Sequence, residues 1–190
     1  MKKNITVLLS LAAVATFAAP VVARAQVSNP FKFAIYGGAA LPSGDASNDL
    51  KTGYTVGGAV DLRAPLMPVG LRGELDYSRL NAKDNQGLQN VNMTQTGGNL
   101  NAVLWMPSAG TPLTAYLTAG PTYARIAANA SDSGTSASAS ENHWGFNAGG
   151  GIDFALSGLS TRLDVRYKQI SMGSGNGSFK TIPITFGIVF

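Results

Sequence analysis

Charged side chains in this sequence recur at every second position. Arg72, Glu74 and Asp76 form one such run, and Arg162, Asp164, Arg166 and Lys168 form another. Asp61 and Asp153 stand on similar segments, and Asn99, Asn101 and Asn147 join them. Acids and bases at this spacing share one face of an extended chain, where they can pair as ions or line a path for ions. Catalysis has fewer candidates. The one histidine, His143, follows Glu141 and Asn142, and Trp144-Gly145 follows it. There is no cysteine, so disulfides, thiol chemistry and cysteine-based metal sites are excluded. The pairs Gly37-Gly38, Gly57-Gly58 and Gly97-Gly98 and the triplet Gly149-Gly150-Gly151 lie inside extended segments with no helix after them, which is not a nucleotide-binding pattern. Glycine at such positions permits the curvature of a small barrel. No cofactor is expected.

The elements that carry these residues alternate with period two, and no segment after residue 25 sustains an apolar helical repeat. Eight segments read this way, each near the roughly 9–11 residues of a tilted membrane strand. Their uncharged faces carry Phe33 to Leu41, Tyr54 to Leu62, Val69 to Tyr77, Gly98 to Leu104, Leu113 to Tyr123, Trp144 to Phe154, Leu163 to Tyr167 and Ile182 to Phe190. A water-soluble ligand-binding barrel would put charge outside and an apolar lining inside. Here one face stays free of charge around all eight segments, as expected when the outside is lipid and the inside polar. An arginine or lysine on the lipid face would cost about 2–4 kcal/mol at mid-bilayer. The expected fold is all-β, an eight-stranded antiparallel up-and-down transmembrane β-barrel.

Residues 1–25 read as a cleavable signal peptide: Met1-Lys2-Lys3-Asn4, an apolar run from Ile5 to Val22, and Ala23-Arg24-Ala25 before Gln26. The barrel domain then spans 26–190. Lys2, Lys3 and Arg24 leave with the signal, taking the balance from 14 basic and 10 acidic residues to 11 against 10. A product so close to neutral offers no case for nucleic acid.

Connections alternate in character. The stretches 42–51, 79–93, 125–142 and 171–178 are longer and polar, whereas 63–68, 106–112 and 155–160 are short and rich in Pro, Gly and Ser. Long extracellular loops and short periplasmic turns are the pattern of an outer-membrane barrel. The segment 129–140, almost entirely Ser, Ala, Gly, Asp and Thr, is expected to be a mobile loop. Running the strands alternately up and down puts Tyr54, Tyr77, Tyr123, Trp144 and Tyr167 at the outer rim and Phe33, Phe154 and Phe190 at the inner rim, two aromatic girdles. Trp105 has the wrong parity for lipid and reads as a turn or rim residue.

An eight-stranded barrel has an interior just wide enough for side chains to fill. Asp61, Arg72, Glu74, Asp76, Asp153, Arg162, Asp164 and Arg166 must therefore neutralise one another there. Strand neighbours suggest Asp61 with Arg72, and Asp153 with Arg162 or Arg166. His143 reads as a solvated loop residue, pointing to the lumen or the loop and away from the lipid depth at which a rim enzyme would work.

On these features the chain resembles the small OmpA- and OmpX-type outer-membrane proteins, the outer-membrane β-barrel domain family. The resemblance covers residues 26–190 and rests on the signal, the eight strands, the loop alternation and the ending Ile184-Thr185-Phe186-Gly187-Ile188-Val189-Phe190. It implies a Gram-negative outer-membrane location and delivery by the barrel-assembly machinery, which would read Ile184, Phe186, Ile188 and Phe190. It further implies a monomer in contact with outer-membrane lipid, non-enzymatic, whose loops meet an extracellular ligand or host surface. No peptidoglycan-binding domain follows the barrel, so a wall-anchoring role is not implied. The alternatives are a narrow channel for ions or very small solutes and a lipid-modifying rim enzyme.

Overall fold

The computed structural model describes residues 30–63, 67–83, 91–132, 135–156, 158–173 and 177–190. The signal segment 1–25 lies outside them. Eight strands follow in chain order: β1 Phe31–Ser43, β2 Gly53–Arg63, β3 Val69–Asn81, β4 Val91–Pro107, β5 Leu113–Asp132, β6 Thr135–Ala155, β7 Ser160–Ser171 and β8 Ser178–Val189. One short helix, α1 (Ala46–Asp49), lies between β1 and β2. Each strand pairs antiparallel with the next, and β1 pairs with β8, so the barrel closes. Closure leaves no sheet edge in the membrane-spanning part, the condition that lipid imposes on a strand-built span.

Register keeps the two faces apart. Lys32 stands opposite Asp61, Asp61 opposite Arg72, and Arg72 opposite Asn101, so the polar parity of each strand continues into the next. The burial is that of a soluble protein turned inside out: Leu75 is 68% exposed and Phe186 58%, whereas Arg72 is 0% and Asp61 1% exposed. A slip of one residue anywhere would send charges to the lipid face.

The glycines add a second service to curvature. Tyr36 points inward on β1 and stands opposite Gly57 of β2 and Gly187 of β8. A Cβ at Gly57 would lie 2.5 Å from the Tyr36 hydroxyl oxygen and 2.5 Å from the Leu75 carbonyl oxygen. Tyr116 on β5 stands opposite Gly151 in the same way, 2.5 Å from a Cβ placed there. Bare backbone thus makes room for the large lumen side chains.

Two expectations change. The stretches 125–132 and 135–142 are not loop: β5 and β6 pair continuously out to Asp132 opposite Thr135. Ser, Ala and Thr cannot build a core, but their backbones extend a ladder that is already running. As a result β4, β5 and β6 are 17, 20 and 21 residues long, against 12 for β7 and β8. Arg63, placed in a turn by its sequence, is the last residue of β2.

Gly57→Ala is expected to lower stability by about 1–3 kcal/mol, the usual cost of overpacking. Because the Leu75 carbonyl also blocks the new methyl group, adding Tyr36→Ala should recover only part of the loss. Urea unfolding in detergent micelles, followed by the unheated gel band, measures both.

Candidate functional site

The lumen is filled by one connected set of polar side chains. Nearest the short turns, the guanidinium of Arg63 lies 4.2 Å from the centre of the Trp105 ring and donates to Asp153 at 2.9 Å. Arg162 holds Asp153 through Nε and Nη2, at 2.7 and 2.9 Å, and reaches Asp61 at 2.7 Å. Arg72 grips the other side of Asp61, at 2.5 and 3.2 Å. Tyr116 lies between the two arginines, 4.5 Å from Arg72 and 5.2 Å from Arg162, and donates its hydroxyl to Asp164.

The next level is held by Arg166. Its Nε lies 2.6 Å from Asp164, and both of its terminal nitrogens donate to Glu74, one at 2.8 Å. Asn101 donates to Glu74 at 2.8 Å and accepts from Asn147 at 2.9 Å. Asn147 donates to Thr122, Thr122 to Asn99, and Asn99 to Asp76, at 3.0, 2.8 and 2.6 Å. Asp76 also accepts from Lys168 at 2.8 Å. Among the described residues, the acids Asp61, Glu74, Asp76, Asp153 and Asp164 are thus matched by Arg63, Arg72, Arg162, Arg166 and Lys168. All except the partly exposed Arg63 are buried.

Geometry decides the alternatives that the sequence left open. Asp61 pairs with Arg72 and also with Arg162, and Asp153 pairs with Arg162 and Arg63 rather than Arg166. Lys168 and Arg63 were not placed in the network by sequence. Lys168 carries the signal, sharing the parity of Arg166. Arg63 carries it too, two residues beyond Asp61, but a Pro-containing turn follows and hides it. Trp105 is not a turn residue: it sits on β4 at the periplasmic rim and is buried under Arg63, which covers its face. His143 is not a solvated loop residue. It is 9% exposed on β6, with Nε2 3.4 Å from the exposed Glu141 carboxylate.

Toward the long-strand end the inward face gains an apolar cluster beside Gln95 and His143. Leu80, Ala124, Ile126, Ile170, Phe179 and Ala40 form a buried cluster, with Ala46 of α1, Leu50, Met93 and Met172 packed on it. Backbone bonds from Lys51 to Asn81 and from Lys83 to Asp49 tie the α1 segment across β3. This apolar level is not legible in the sequence, because strand parity reports which side a residue faces and not its height in the barrel.

Outside, the aromatic residues pair across strands: Tyr54 with Tyr77 at 6.2 Å, Tyr123 with Trp144 at 4.9 Å, and Phe146 with Tyr167 at 6.1 Å. At the other end Phe33, Phe154 and Phe190 are 50%, 40% and 60% exposed.

A closed eight-stranded barrel, apolar outside and charge-paired inside, is the architecture of a small outer-membrane protein. Residues 9–190 match the outer membrane protein beta-barrel domain, and the chain belongs to that family, which places it in the bacterial outer membrane. The fold is similar to that of Neisserial surface protein A, with a TM-score of 0.64 at 16% identity over 86% of this chain and 98% of that one. It is also similar to a major outer membrane protein from Thermus thermophilus, with a TM-score of 0.58 at 16% identity over 84% and 98% of the two chains. No curated protein matches the chain. With short turns periplasmic, the Arg63–Trp105 level faces the periplasm and the apolar cluster faces outward.

Lys168→Met strands Asp76 in the lumen and is expected to cost about 3–5 kcal/mol, as for breaking a buried ion pair from one side. Lys168→Met combined with Asp76→Asn should recover most of it. Urea titration of the refolded variants in micelles checks the cycle.

Proposed function

We propose that this protein is a non-enzymatic scaffold of the outer membrane, closed to solutes, whose extracellular end makes its contacts. Residues 1–25 are removed as a signal peptide. Ile184, Phe186, Ile188 and Phe190 present the terminal strand to the barrel-assembly machinery, and the mature 26–190 barrel works as a monomer. Its aromatic girdles seat it at the two interfaces, and the projecting β5–β6 hairpin and outer loops meet an extracellular ligand or host surface.

The observation that carries this reading is the filled lumen. Five acids and five bases neutralise one another along one connected network, with the apolar cluster above it. A cavity among the described residues, lined by Tyr36, Asp76, Asp164, Arg166, Lys168 and Thr185, is about 20 Å³, room for about one water. An ion passing this level would have to break buried pairs. His143 lies inward and away from lipid, and its contact is a solvent-exposed carboxylate rather than a nucleophile.

Reconstituted in a planar bilayer, the protein is expected to show no discrete openings. Openings that vanish when Arg72 or Arg166 is changed would establish a channel instead. Outer-membrane lipid profiles are expected to be the same for wild type and His143→Ala, and an altered acylation pattern would establish a rim enzyme.

A further inference from the structure

The outer aromatic girdle is interrupted at β4, as it is at β8 and β1. Tyr54 and Tyr77 occupy it on β2 and β3, and Tyr123 and Trp144 on β5 and β6. Between them β4 supplies Thr96, opposite Tyr77, and Gly98, opposite Tyr123. The result is a shallow trough with aromatic walls. Its floor is bare backbone at Gly98, where an added Cβ would reach only ordinary contact with Leu75, at 3.5 Å.

One step further out, two exposed arginines flank the trough. Arg79 on β3 stands opposite Thr94, and Arg125 on β5 stands opposite Thr96, its guanidinium donating to Ser140 at 2.8 Å. Among the described residues, the outward-facing strand positions carry only three charges. These are Arg79, Arg125 and Lys180, all basic and all at the extracellular end. Lys180 lies on β8, with Ile182 rather than an aromatic residue below it.

We propose that this trough binds a phosphorylated lipid of the outer leaflet, with the phosphate between Arg79 and Arg125 and an acyl chain along Gly98 between Tyr77 and Tyr123. Three features fit that occupant. Guanidinium groups bind phosphate oxygens through paired N–H donors. Tyr and Trp settle at the depth where chain meets headgroup, and each arginine lies two residues, about 7 Å along its own strand, beyond a tyrosine, Arg79 beyond Tyr77 and Arg125 beyond Tyr123. Among the described residues no acid stands at an outward-facing strand position, and the exposed Glu141 is on the inward parity of β6 beside His143. A neutral lipid would gain only the trough.

Trp144, 66% exposed and packed against Tyr123, reports on occupancy, whereas Trp105 is enclosed at the periplasmic end. In phosphatidylcholine vesicles, brominated phosphatidic acid is expected to quench Trp144 with an apparent affinity on the order of tenfold above that of brominated phosphatidylcholine. R79Q and R125Q should each reduce the preference and together remove it, while K180Q should retain it. Variants are compared after their detergent-resistant unheated band is verified. The proposal fails if the wild type shows no preference, if the preference survives R79Q/R125Q, if K180Q removes it equally, or if millimolar inorganic phosphate abolishes it. The last result would mark a site for free anions rather than lipid.

Discussion

Everything in this structure depends on neutralising charge inside the barrel, across the lumen as well as between neighbouring strands. β7 carries Arg162, Arg166 and Lys168, which meet Asp61 on β2 and Glu74 and Asp76 on β3. These strands face one another across the lumen, so each pair is a crossbar that holds both walls at one height. A buried charge without a partner costs several kcal/mol, and the pairs therefore fix the register of β7 against β2 and β3. That register in turn turns Leu75, Leu163 and Phe186 outward to lipid. Tyr116 supports the arrangement by lying against two arginines that would otherwise repel each other.

The barrel is consequently layered along its axis as well as across it. Arg63 and Trp105 cover the periplasmic end, ion pairs fill the middle, asparagines and threonines link the ion-pair levels, and Leu80, Ile126, Ile170 and Phe179 close the outer end. The polar and apolar seals exclude different things. The apolar cluster gives an ion few ligands, while the paired charges below it leave no free site at which one could rest. Tyr36 and Tyr116 fill the remaining width, which is available only because Gly57, Gly187 and Gly151 carry no side chain.

Much of this was legible in the sequence because lipid enforces a simple rule on one face. Period two, the segregation of Arg72, Glu74, Asp76, Asp164 and Arg166, and the terminal Ile184-Thr185-Phe186 alternation are sufficient for a closed barrel with a charged interior. What the sequence hid were distances along the axis and across the lumen. Asp153 had two same-parity candidates on the neighbouring strand; the β6–β7 register puts it opposite Arg162, and Arg63 reaches it from β2 across the lumen. His143 and the Ser/Ala-rich hairpin were misplaced for a related reason. Composition describes what side chains can pack against, whereas the β5–β6 ladder is extended by backbone groups that composition does not describe. Trp105 was obscured by position, since an end-of-strand residue with inward parity looks like a turn until its cation partner is located.

The crossbars also set the order in which the molecule can form. Lys168 and Asp76, like Arg166 and Glu74, are separated by 92 residues. The seam between β1 and β8 joins nearly the two ends of the described chain. Contacts of such long range contribute only after most of the loop-closure entropy has been spent. An incomplete sheet of six strands would hold Asp61, Glu74 and Asp76 without their β7 partners. The late strands thus bring counter-charges that the early strands require, above all for Glu74 and Asp76.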